Sequence, residues 1–166
     1  TTGKNRVEGC RIGADENGLG SRLGPMVVTA VLARVDERGA RLLARKLPAK
    51  LADMIGDSKQ RVSHDNVALG EAWARALVDP EFASPAEVFG GLSLEGVERL
   101  RAPCPDHVRA QCWSIAGESF GADPGLVSAA TRARAELCRR GVEVLAVKSS
   151  VICTERLNAA RAAGKN

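Results

Sequence analysis

Two carboxylates in direct succession, Asp15 and Glu16, stand where a short apolar segment gives way to a loop. That loop carries Gly18, Gly20 and Gly24 and closes on Pro25, and a second apolar segment starts at Met26. Neighbours on a strand leave opposite faces, so adjacent acids would not share a ligand there. At a strand end, where the pleat is lost, both can reach one site. Magnesium and manganese prefer carboxylate oxygen and water, and take few protein ligands when a substrate phosphate supplies others. Such ions activate water and stabilise the leaving oxygen in phosphodiester cleavage. The glycines add a backbone without Cβ atoms, so main-chain N–H groups can face a phosphate or a ribose hydroxyl. The plain alternative is a pair of acids in a solvated, glycine-rich turn. The dinucleotide fingerprint is excluded, because the third glycine is missing and no helix follows.

Three other groupings carry reactive residue types. Cys104, His107 and Cys112 could bind zinc with Cys138 or Cys153 as fourth ligand. Their spacing is not that of a standard finger, and free thiols near Trp113 are the competing reading. His64 sits between Ser63 and Asp65, but no nucleophile elbow is present and a helix-capping segment explains the group better. Arg132, Arg134, Arg139 and Arg140 form a row that could track phosphates or simply face solvent, with Glu136 among them.

The elements that must hold these residues follow from periodicity. A strand is expected over 7–14, where Cys10, Ile12 and Ala14 alternate with Arg11 and Gly13. The apolar run 26–35 predicts a second strand, covered on both faces and paired antiparallel with the first. Asp36 can cap a helix over 37–47, which Pro48 ends. Leu51 to Ile55 is a short apolar piece. A helix is expected over 66–78, opened by Ser63 or Asp65. Ser84 and Pro85 suit a cap and first helical position, with Gly90 and Gly91 separating a second helical piece over 94–100. A strand is expected over 108–115, a helix over 125–140 ending at Gly141, a strand over 142–147, and a last helix capped by Thr154 over 155–163. The order describes an α/β layer fold.

Composition bounds the rest. A chain of 166 residues fits a single domain with its own core. Aromatics are 3% and tyrosine is absent, so the core must come from Leu, Val, Ile and Ala, and little is left for base stacking. A net charge of +4 permits an anionic partner without requiring one, since 24 basic and 20 acidic side chains are interspersed. No apolar run approaches the roughly 18 residues of a membrane span, and the polar start does not read as a signal peptide. Five scattered cysteines read as free thiols in a reducing cytoplasm.

Residues 13–25, followed by Val27-Val28-Thr29-Ala30-Val31-Leu32, resemble the opening of the type 2 ribonucleases H, ribonuclease HII and its relatives. Those proteins begin with a strand ending in Asp-Glu, then Gly-Arg-Gly, a Gly-Pro and an apolar strand. Ile55-Gly56-Asp57-Ser58-Lys59, with Ser63 beyond, is similar to that family's Asp-Ser-Lys segment. The resemblance covers about residues 7–64. It implies a ribonuclease H-like mixed sheet flanked by helices, in one domain over 1–166 in which another strand would be expected after Asn166; either the further acids lie beyond that end or the metal site is degenerate. It also implies hydrolysis of the RNA strand of RNA/DNA hybrids with Mg²⁺ or Mn²⁺. Asp15 and Glu16 would be catalytic metal ligands. Asn17, Gly18, Gly20, Arg22, Ser58 and Lys59 would bind the hybrid, with Gly18 and Gly20 at the ribose 2′-hydroxyl.

The chain departs from the pattern in three places. Leu19 stands where the family has arginine, with Arg22 nearby. No tyrosine is available to sense an RNA–DNA junction. For the further acids the chain offers only Glu118, Glu143 and Glu155, with no Asp after Asp123. Two other readings therefore stand beside the nuclease: a non-catalytic nucleic-acid-binding relative with a degenerate metal site, and a nucleotide-handling enzyme on a ribonuclease H-like core. A membrane partner is not expected.

Overall fold

The computed structural model describes residues 9–17, 25–56, 66–96 and 117–164. At the centre lies the apolar run, β2 (Met26–Val35), which is paired along both edges. β1 (Gly9–Asn17) joins it antiparallel, from Gly9↔Val35 to Asn17↔Val27. β3 (Val142–Ile152) lies antiparallel along the other edge, giving the order β1-β2-β3. Six helices accompany this sheet among the described residues, so the chain is α/β. The parallel component among them is a single bridge, Ser93↔Ser149.

Two strands outrun their expected ends. β1 continues past Ala14 through Asp15, Glu16 and Asn17, because Val27, Val28 and Thr29 go on offering ladder partners. β3 continues past Val147 through Lys148, Ser149 and Ser150. The polar side chains there find partners: the Ser149 and Thr29 hydroxyls are 2.9 Å apart, and Lys148 donates to the Gly91 carbonyl at 2.8 Å.

The helices are α1 (Glu37–Leu43), α2 (Ala49–Ala52), α3 (Ala68–Leu77), α4 (Pro85–Leu92), α5 (Pro124–Arg139) and α6 (Thr154–Ala162). Asp36 caps α1 through the Gly39 N–H, and Asp123 caps α5 through the Leu126 N–H. Ser84 and Glu87 form a full capping box on α4. α1 is shorter than expected: it ends at Leu43 with Ala44 as its C-cap, before the residue that Pro48 restricts. α4 runs through Gly90 and Gly91 instead of breaking there. A Cβ on Gly91 would press on Val78 and Phe82, so the glycine serves a close helix approach. The strand expected over 108–115, the end of the helical piece over 94–100 and the capping segment at Ser63, His64 and Asp65 lie outside the described residues; Leu94 to Gly96 are not helical.

Alternation sorts the sheet into faces. Val35 and Val142 lie on the face that packs on Leu51 of α2 and on Ala133 and Leu137 of α5. A second cluster joins Ala72 and Ala76 of α3 to Ala130 and Val127 of α5. Small side chains there let the two helices approach closely, which is how a chain with few aromatics reaches a dense core. Met54 and Trp73 pack against both clusters, and the Trp73 indole donates to the Met54 carbonyl at 2.7 Å. No described helix is long and apolar enough to cross a membrane.

One junction ties the layers. The Asp36 N–H donates to the Gly141 carbonyl at 2.9 Å, while the Asp36 carboxylate accepts from Gly39 at 2.8 Å. Gly141 has φ +90, and a Cβ there would overlap the Asp36 carboxylate; one on Gly39 would overlap the Gly141 carbonyl. Gly141→Ala is expected to lower stability by at least about 1–3 kcal/mol from the left-handed backbone alone, read from urea unfolding. The Gly39 hydrogen bond, opposed by partial desolvation and aided by Arg38, holds the Asp36 carboxyl below its ordinary value of 3.8. A lowered value means stability present above the unfolded pKa and lost as pH falls through the folded one. Wild type should therefore weaken below about pH 4, and Asp36→Asn should flatten that part of the acid dependence.

Candidate functional site

Asp15 and Glu16 sit two and one residues from the end of β1, both exposed. They remain inside the ladder, Asp15 opposite Thr29 and Glu16 opposite Val28. Their side chains therefore leave opposite faces of the sheet. The Asp15 carboxylate accepts the Glu16 N–H at 2.9 Å. A strand end without pleat, which would let both acids meet one ligand, is not what this backbone provides.

The register places each acid in a row. Thr29 pairs with Asp15 on one side and Ser149 on the other, and Ser149 bridges Ser93. Directly paired residues share a face, so Asp15, Thr29, Ser149 and Ser93 form one polar row across the sheet, on the face that carries α5. Ser93 is buried, and its hydroxyl donates to the Glu95 carbonyl. Glu16, Val28 and Ser150 form the neighbouring row on the other face.

Sequence reasoning missed Thr29 and Ser149. The signal was present in both strands: Thr29 is a polar interruption of the apolar run, as is Arg34, and Ser149 follows two residues past Val147, the expected end of the late strand. Their mutual hydrogen bond is of the kind that contributes about 1 kcal/mol.

The other expected partners fall elsewhere. Gly18, Gly20, Arg22, Ser58 and Lys59 lie outside the described residues, as does the side chain of Asn17. Glu143 pairs with Arg34 at 2.8 Å and lies at the opposite end of β3, about 20 Å from Ser149 at roughly 3.3 Å per residue. It cannot complete a cluster with Asp15. Glu118 is exposed in the loop before α5, and the Glu155 side chain is outside the described residues. Cys104, His107 and Cys112 are outside them too, while Cys138 is exposed and Cys153 buried.

Among the described residues, no group of three His, Cys, Asp or Glu gathers. The donor set for one Mg²⁺ or Mn²⁺ shared by Asp15 and Glu16 does not fit a ladder that separates them. What the rim offers on the α5 face is one exposed carboxylate beside two hydroxyls, an all-oxygen surface suited to hard cations or to sugar hydroxyls.

No protein family, curated protein or solved structure matches the chain.

If the acids act separately, Mn²⁺ titration followed by electron paramagnetic resonance should respond unequally. Asp15→Asn should weaken any binding at the rim, and Glu16→Gln should leave it close to wild type. Equal losses would mean that the two carboxylates converge.

Proposed function

We propose that the chain is a nucleic-acid-processing protein of the type 2 ribonuclease H kind, hydrolysing the RNA strand of RNA/DNA hybrids with Mg²⁺ or Mn²⁺. The observation that carries this reading is the ordered pair of motifs, residues 13–25 and 55–59, with Asp15 and Glu16 exposed near the end of β1. On this reading Asp15 and Glu16 are the catalytic acids, acting from opposite faces of the strand end rather than on one shared ion. Asn17, Gly18, Gly20, Arg22, Ser58 and Lys59 hold the hybrid, and the backbone at Gly18 and Gly20 selects the ribose 2′-hydroxyl.

A second reading, a nucleic-acid-binding relative without hydrolysis, is favoured by one specific observation: the two acids leave opposite faces of the sheet, and Glu143, the acid of the late strand, is held by Arg34 far along it.

An end-labelled RNA/DNA hybrid incubated with the protein in Mg²⁺ and in Mn²⁺ separates the two. The nuclease reading expects cleavage that Asp15→Asn reduces by about 100-fold or more, the scale of removing one group that acts in the transition state. Saturable hybrid binding without cleavage in either metal leaves the second reading. Absence of both ends both.

A further inference from the structure

The arginine row of α5 does not simply face solvent. Arg134 turns inward and donates to the Ala76 carbonyl at 2.7 Å, near the C-terminal end of α3. The other three arginines meet cations from α1 and α2 across two grooves. The first, about 430 Å³, has eight lining residues, and six of them are cationic: Arg38, Arg41, Arg45, Lys46, Arg139 and Arg140. The second, about 550 Å³, adds Lys50 and Arg132 and contains one carboxylate, Glu136. Pro48, Arg139 and Arg140 line both, so the two grooves form one continuous track.

Part of this charge is balanced locally. Arg38 pairs with Asp36, Arg41 with Glu37, and Arg139 and Arg140 with Glu136. Among the described residues, Arg45, Lys46, Lys50 and Arg132 have no acidic partner within ion-pair distance. All eight cations are exposed. The face therefore keeps a surplus of positive charge, concentrated on concave walls.

We propose that these two grooves bind the phosphate backbone of a duplex nucleic acid. A continuous track suits a linear polyanion better than a single anion. Arginine fits because its planar fork takes phosphate oxygens in pairs. The linings contain no aromatic side chain, and single strands are held by stacking on such platforms, which points to a duplex. Val35 and Val142 anchor this end of the sheet, about 20 Å from the Thr29 row at roughly 3.3 Å per residue. The track is thus separate from the acid-bearing rim and stands whether or not that rim hydrolyses anything.

Fluorescence anisotropy with a fluorescein-labelled DNA duplex tests the surface directly, because DNA alone is not a substrate on the nuclease reading. Binding should weaken with salt, independently of sequence. Arg45→Gln probes the first groove and Arg132→Gln the second. Each should flatten the slope of log affinity against log salt by about 1, and the pair by about 2. Arg11→Gln with Arg161→Gln, exposed cations elsewhere, should leave the slope unchanged. Thermal melting checks that each variant is folded, and Lys46→Gln with Lys50→Gln repeats the test should the arginine pair unfold. An unchanged slope in folded groove variants would overturn the proposal. So would capture of the protein by phosphatidylserine vesicles with no binding to the duplex. Loss of hybrid cleavage with duplex binding intact would remove the nuclease reading alone.

Discussion

The contact of Asp36 with Gly39 and Gly141 is the constraint on which the remaining geometry rests. It joins the turn that leaves β2 to the turn that enters β3, at a place where neither glycine has room for a Cβ. Fixing that junction fixes Val35 opposite Val142 and the two pairs that follow, up to Ala33 with Val144, beyond which a bulge shifts the register by one. The same contact brings the first turns of α1 beside the last turn of α5. The arginines flanking the grooves are neighbours for that reason: Arg38 and Arg41 follow Asp36, and Arg139 and Arg140 precede Gly141. A packing requirement thus organises both the sheet register and a cationic surface.

The two ends of the sheet differ in kind. At the Val35 and Val142 end, branched side chains pack under α5 and charge collects outside. At the Thr29 end, hydroxyls occupy positions that β2 and β3 elsewhere fill mostly with valine, and one carboxylate stands beside them on β1. β1 lies on the outer edge of the ladder with every side chain from Cys10 to Glu16 exposed. An acid on such a strand keeps its solvation and can meet a large substrate without any opening of the core.

Much of the architecture was legible in the sequence, and the limits have physical causes. β2 was found at its full extent because its apolar run has no competing reading. The caps at Asp36 and Ser84, and the stop at Gly141, were legible because capping is local chemistry. The lengths of β1 and β3 were not, since acidic and hydroxyl side chains look like loop until their cross-strand partners are known. The path of α4 through two glycines depended on Val78 and Phe82, which sequence alone does not bring near. At the candidate site, the positions of Asp15 and Glu16 were legible, but their separation by the sheet was not. That separation follows from three further residues of ladder, and the ladder is a property of β2 as much as of β1.

The bulge in β3 has a consequence for chemistry as well as shape. Leu32 pairs with Ala146 and Ala33 with Val144, so Leu145 is an extra residue in the strand. Counted from Val142 as an unbroken ladder that keeps Leu145 in register, Thr29 would face Lys148. With the bulge, Thr29 faces Ser149. The bulge acts as a phase shift: by leaving Leu145 unpaired it turns the lysine away from the acid's row and puts a hydroxyl in its place. Deleting Leu145 would keep Ser149 opposite Thr29 in a regular ladder, whereas flattening the bulge with the sequence unchanged would set an ammonium beside the acid's row.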